Sequence, residues 1–140
     1  MRSISLFFAI SLMALITSCT NEVEDSWAET LRVHDEVMLK MQDNSELEQK
    51  LTELIKRGNA STTSVLFTKI DTLEGALEVL AKSDEAMMDW MASIQEPHKG
   101  DDVDSTLTYH KELTISIIEI GVQMDDAALN AENILKSLEK

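Results

Sequence analysis

The fold is decided by residues 66–94, which read LFTKIDTLEGALEVLAKSDEAMMDWMASI. The apolar residues of this stretch recur at steps of three and four, the spacing that places side chains on one face of an α-helix. Asp84 is the one polar member of the series, which consists of Leu66, Ile70, Leu73, Leu77, Leu80, Asp84, Met87, Met91 and Ile94. No period-two alternation competes with this spacing, so the stretch predicts a long amphipathic helix.

The same spacing occurs on both sides of this stretch. The preceding series is Trp27, Leu31, His34, Met38 and Met41, continued by Leu47, Leu51 and Leu54. The following series is Val103, Leu107, His110, Thr114, Ile117, Gly121, Met124, Ala128, Ala131, Leu135 and Leu138. We therefore predict three helices, over about residues 26–57, 63–95 and 104–139.

Residues typical of helix ends support these boundaries. Ser26 and Glu29 form a capping-box pattern at the start of the first helix. Gly58 follows a basic last turn and is expected to close this helix in a left-handed conformation. A second capping box within the same helix, Ser45 with Glu48, predicts a kink or restart at residues 43–45.

The second and third helices have comparable signals. Pro97 disfavours helical geometry in the residue before it, so residues 97–101 are predicted to form a loop. Asp102, Asp104 or Ser105 is then expected to cap the third helix. Three helices, each about 45 Å long at about 1.5 Å per residue and joined by short loops, predict an all-α, antiparallel up-down-up three-helix bundle.

The first 18 residues have the order of a secretory signal peptide. Arg2 precedes an apolar run, Ile4 to Ile16, which is shorter than the roughly 20 residues of a membrane-spanning helix. The residues up to Cys19 resemble the lipobox of bacterial lipoproteins, in which the chain is cut before the cysteine and the thiol is acylated. We therefore expect a signal peptide at 1–18, lipid attachment at Cys19, and an acidic tether at 19–25.

The chain has a formal net charge of −14. This charge disfavours binding to nucleic acid and to anionic lipid headgroups. Membrane attachment is therefore expected to come from acyl chains. Thr20 resembles the signal that sends lipoproteins to the outer membrane, which predicts that location. The acidic residues 22–25 resemble export tags to the cell surface, and a soluble tether is the alternative interpretation of the same residues.

One end of the predicted bundle is rich in histidine and methionine. Matching the helices about their loops places His34 level with Met87, and His110 level with Trp90 and Met91. Thioethers and imidazoles are ligands for copper, especially Cu(I). One interpretation is therefore a copper site that uses His34, Met38, Met87, Met91 and His110, with Asp84 as a hydrogen-bond partner of a histidine.

The other interpretation of this end is ordinary packing, and we prefer it. Methionine fills irregular gaps in helical cores and packs well against tryptophan. The two histidines would then form a polar layer that fixes the register of the helices. The sequence also lacks the HExxH, GxSxG and glycine-rich phosphate-loop motifs, so a non-enzymatic protein without a cofactor is expected.

The stretches HDEVMLKM at 34–41 and DEAMMDWM at 84–91, with the lipobox ahead of them, resemble a group of small envelope lipoproteins from the Bacteroidota. Members of this group often carry the label viral A-type inclusion protein. The resemblance covers the signal peptide and the first two helices, whereas the third helix matches only in being acidic and helical. It implies an envelope lipoprotein of helical fold and no particular activity.

These observations predict a lipid-anchored, non-enzymatic envelope protein with a structural or partner-binding role, whose partners are the membrane and another envelope protein. The alternative is a copper-binding envelope lipoprotein.

Overall fold

The protein is all-helical in a computed structural model that describes residues 2–60, 63–95 and 102–138, with side chains of the first helix from Glu22 onward. Helix α1 spans Arg2–Asn59, α2 spans Ile70–Ser93 and α3 spans Val103–Leu138, and a 3₁₀ turn at Phe67–Lys69 precedes α2. All three helices pack against one another. Within the described ranges, no helix contains an apolar stretch long enough to cross a membrane.

Helix α1 begins well before the predicted start at Ser26 and continues without a break through residues 43–45. The predicted start and the predicted restart were wrong, because no glycine or proline occurs before Gly58 to interrupt the backbone. The Ser26 hydroxyl donates to the carbonyl of Val23 within the helix, at 2.9 Å, rather than capping an end. Residues 19–25, the predicted tether, are therefore part of α1.

Gly58 serves close packing rather than closure of the helix. Helix α1 ends at Asn59, so Gly58 lies within it and is buried. A Cβ atom at this position would lie 3.2 Å from Cγ1 of Ile70 and 3.3 Å from the carbonyl carbon of Leu66. The predicted left-handed conformation is therefore not needed, and the small side chain lets the start of α2 approach the end of α1.

Helix α2 is shorter than predicted at both ends. The Ser64 hydroxyl and carbonyl both accept from the N–H of Phe67, and this turn delays the α-helix to Ile70. At the other end, Ile94 has an extended backbone (φ −64°, ψ 130°), so α2 stops at Ser93. Pro97 and the predicted loop around it lie outside the described residues.

Asp102 is the cap of α3 among the three predicted candidates. Its carboxylate accepts from the N–H of Ser105 at 3.0 Å and from the hydroxyl of the same residue at 2.9 Å. These hydrogen bonds stabilise the charged form and lower the pKa of Asp102. Helix α3 therefore begins immediately after it, at Val103.

The core consists of two clusters along the bundle. The first surrounds Met87, Trp90 and Ile117, and the second contains leucines and alanines such as Leu51, Leu73 and Ala131. The contacts between α1 and α3 keep a nearly constant separation in residue number, from Ser26 with His110 to Lys40 with Asp125. Contacts of α2 with its neighbours follow the opposite order, as in His34 with Trp90 and Asn44 with Ser83.

Candidate functional site

His110 is a buried polar residue of α3, and its polar contacts with α1 are to Ser26 and Thr30. Its Nδ1 lies 2.7 Å from the hydroxyl oxygen of Ser26. Because the single hydroxyl proton of Ser26 is donated to Val23, the His110 Nδ1–H is the donor in this contact. Within the described part of the chain, Nε2 of His110 has no hydrogen-bond partner. Burial lowers the pKa of His110, so the imidazole is neutral at pH 7.

A pair of threonines forms a second polar contact one turn further along. The Thr30 and Thr114 hydroxyl oxygens lie 2.8 Å apart, and either can donate to the other. Each can also donate to a carbonyl, Thr114 to that of His110 at 2.8 Å and Thr30 to that of Ser26 at 3.1 Å. Sequence reasoning missed both partners on α1, because Ser26 was assigned to a cap and Thr30 to no role. The available signal was that Ser26 and Thr30 have the same spacing as His110 and Thr114.

His34 lies apart from His110. Its ring stacks on Trp90 with centroids 5.9 Å apart, and its Nδ1 lies 3.0 Å from a carboxylate oxygen of Asp35. His110 contacts α1 at Ser26, eight residues before His34. Eight residues of helix correspond to about 12 Å, so the two imidazoles contact their neighbours at different levels of the bundle.

The residues predicted to lie level with one another are therefore shifted along the bundle. His110 was expected level with Trp90 and Met91, but it packs against Trp27, with ring centroids 5.2 Å apart. His34 was expected level with Met87 and stacks on Trp90 instead. The 3₁₀ turn before α2 and the longer α1 move the centre of the first loop, and this changes the register from the predicted one.

The methionines of the predicted copper set belong to the hydrophobic core. Met87 is fully buried, and Met38 and Met91 pack against the same cluster while partly buried. Among the side chains that the structure describes, no three from His, Cys, Asp and Glu converge as they would around a metal ion. The structure thus groups the three methionines near His34 and places His110 at another level.

Asp84 makes a polar contact with Asn44 rather than with a histidine, which corrects its predicted role. The Asn44 amide nitrogen donates to Asp84 at 2.9 Å and to the Ser83 hydroxyl at 3.1 Å. Asn44 is buried, and its carbonyl oxygen has no partner among the described residues. Burial raises the pKa of Asp84, and burial together with the charge of Asp84 raises the pKa of Glu48.

The raised pKa of Asp84 predicts a pH effect on stability. The folded protein holds a proton on Asp84 more tightly than the unfolded chain does, so this contribution is complete below about pH 4 and is lost as the pH rises through the folded pKa. Asp84→Asn is expected to flatten this part of the profile. Urea unfolding of both proteins, at several values between about pH 4 and pH 7, measures the difference.

Asp89→Asn, at an exposed position on the same helix, is the matched control for this pH experiment. His110 contributes with the opposite sign, since its lowered pKa favours the unfolded state as the pH decreases below about 6.5. Because His110 is present in all three proteins, its contribution cancels in the comparison. Identical profiles for the wild type and Asp84→Asn would contradict the assignment.

A groove of about 960 Å³ lies near the end of α1, against α3. Its floor consists of leucines, including Leu54 and Leu138, and its rim carries Lys50, Glu53 and Arg57. No histidine lines this groove, and its charged residues belong to exposed positions of α1. It offers an apolar surface but not the matched base and nucleophile of an enzyme site.

The outer surface of α3 carries a further feature that the sequence analysis did not assign. Ile115, Ile118, Val122 and Leu129 are 48%, 49%, 54% and 56% exposed. Steps of three, four and seven place them on one side of α3, nearly opposite the buried Ile117 and Met124. Helix α3 is therefore apolar on two faces, of which only one is covered by the bundle. We refer to these four residues as the α3 outer stripe.

Comparison with known proteins returns no relative. No protein-family model matches the chain, and neither a curated protein nor a solved structure matches it at a significant level.

Proposed function

We propose that the chain is a lipid-anchored, non-enzymatic protein of the bacterial cell envelope that binds a partner protein at the membrane surface. The α3 outer stripe is the observation that supports a binding role most directly, because a helix that needed only to pack in the bundle would be polar on its outward face. The lipobox at Cys19 and the resemblance to small Bacteroidota lipoproteins support the anchor and the outer-membrane location.

We also propose an antiparallel up-down-up order for the three helices. The residue numbers of α1 and α3 rise together along their contacts, from Ser26 with His110 to Lys40 with Asp125. Along α2 the order is reversed, since Trp90 contacts Ser116 and the N–H of Gln95 donates to the hydroxyl of Tyr109. This order supports α2 running against both neighbours.

Because α1 is continuous, the proposed lipid anchor at Cys19 would be connected to the bundle by helix. Cys19 and the residues after it belong to the same helix that enters the core at Thr30 and Val33. An acyl group on Cys19 would therefore join the bundle through helix rather than through a flexible tether. Copper is not part of this proposal, because His110 contacts α1 at Ser26, about two turns before His34.

Cys19→Ser tests the anchor. Since Cys19 is the only cysteine, the variant is expected to lose all incorporation of labelled palmitate and to move from the membrane to the soluble fraction. Fractionation of cells that express the full chain, followed by label counting, measures both effects. Thr20→Ser, at the next residue, keeps the thiol and should behave as the wild type. Label and membrane attachment that persist without Cys19 would contradict the anchor.

A further inference from the structure

The α3 outer stripe is accompanied by a row of acidic residues. Glu112, Glu119 and Asp126 follow one another at steps of seven, so they lie in line along one flank of the stripe. All three are exposed, and none makes an ion pair with another described residue. Two other acids of α3 are already paired, Asp125 with Lys40 and Glu132 with Lys136.

The α3 outer stripe and the acidic row together have the pattern of one helix of a two-stranded coiled coil. Ile115, Ile118, Val122 and Leu129 occupy seam positions of a heptad, and the acidic row occupies the position directly beside the seam. Side chains at that flanking position form ion pairs with the partner helix and determine which helix is accepted. A partner helix that forms ion pairs with the acidic row therefore carries Lys or Arg along the edge of its own apolar face.

We propose that the α3 outer stripe binds a basic amphipathic helix of a partner protein. The apolar face of that helix covers Ile115, Ile118, Val122 and Leu129, and its cationic edge pairs with Glu112, Glu119 and Asp126. This inference builds on the proposed partner-binding role but does not depend on the anchor at Cys19. The fractionation experiment and the binding experiment below can therefore fail separately.

Charge disfavours the other occupants of this face. A second copy of the chain also has a net charge of −14, and antiparallel pairing of two α3 helices would place one acidic row against the other. Parallel pairing would oppose the acidic row to Thr114, Gly121 and Ala128, which offer no cation. Anionic lipid headgroups are repelled for the same reason.

The test uses the full chain in nanodiscs of zwitterionic lipid, with empty nanodiscs subtracted. The probe is a peptide of about 18 residues, built from Leu and Lys, with its leucines on one helical face. A Leu and Glu peptide of the same pattern is the probe control. We expect the Lys peptide to bind more weakly as salt is added and the Glu peptide not to bind.

Two double variants locate the binding surface. Ile118→Ser with Val122→Ser removes the centre of the stripe and is expected to weaken binding of the Lys peptide by about tenfold. Leu39→Ser with Val79→Ser removes two residues that are 67% and 46% exposed elsewhere, and it should leave the affinity unchanged. Thermal melts by circular dichroism show whether both variants keep the fold, as expected for changes at exposed positions.

Three results would overturn the proposal. Equal affinity of the wild type and the Ile118, Val122 variant would mean that net charge alone attracts the peptide. Equal binding of the Lys and Glu peptides would remove the role of the acidic row. Sedimentation that shows a dimer of the wild type and a monomer of the Ile118, Val122 variant would make a second copy the occupant.

Discussion

Met87→Asp is expected to lower the free energy of unfolding by about 4 kcal/mol. Met87 is 0% exposed and lies in the cluster formed by Trp90, Ile117 and their neighbours. A carboxylate at this position would be removed from water, and the apolar side chains around it cannot stabilise the charge. Urea unfolding followed by circular dichroism measures the change, with the midpoint as the readout and a constant slope as the test of two-state behaviour.

Met88→Asp is the matched control, since it introduces the same charge one residue further along. Met88 is 53% exposed, so the variant is expected to change stability by no more than about 0.5 kcal/mol. The difference between the two variants then reports burial rather than helix propensity or net charge. Similar effects of both substitutions would show that α2 does not present Met87 to the core in solution.

The three helices could be predicted from the sequence because each of them carries a long apolar series. Leu73, Leu80 and Met87 are buried as the spacing of α2 predicted. Polar residues within the helices were harder to interpret. Asn44 was expected to mark a kink, yet it is buried within a continuous helix because its amide donates across to α2. Local patterns do not show a partner 40 residues away.

The relative height of the helices could not be predicted either. The predicted levels depend on where the centre of each loop lies, and the 3₁₀ turn at Phe67–Lys69 and the extension of α1 to Asn59 move the centre of the first loop. His110 thus contacts Ser26 and Trp27, whereas it was expected level with Trp90 and Met91. A candidate site assembled from three helices depends on this register, which is why the predicted copper set does not lie at one level.

Gly121→Ala is expected to destabilise the protein by up to about 2 kcal/mol, although alanine is the better helix former. A Cβ atom at Gly121 would lie 2.9 Å from Cγ2 of Val37, which is closer than carbon atoms can approach without movement. Val37 is buried and β-branched, so its methyl group cannot rotate away at low cost. The overpacking cost of about 1–3 kcal/mol therefore exceeds the gain of about 1 kcal/mol in helix propensity.

Gly75→Ala separates these two effects, because it makes the same change in the interior of α2 with no heavy atom within 4 Å of the new Cβ. This variant is expected to be stabilised by up to about 1 kcal/mol, so the two alanine substitutions should shift the urea midpoint in opposite directions. Stabilisation by both would mean that α1 and α3 can separate slightly at Val37 without loss of packing. Close approach of these helices at Gly121 also supports the contact between Lys40 and Asp125 one turn further along, so Gly121→Ala should weaken that ion pair as well.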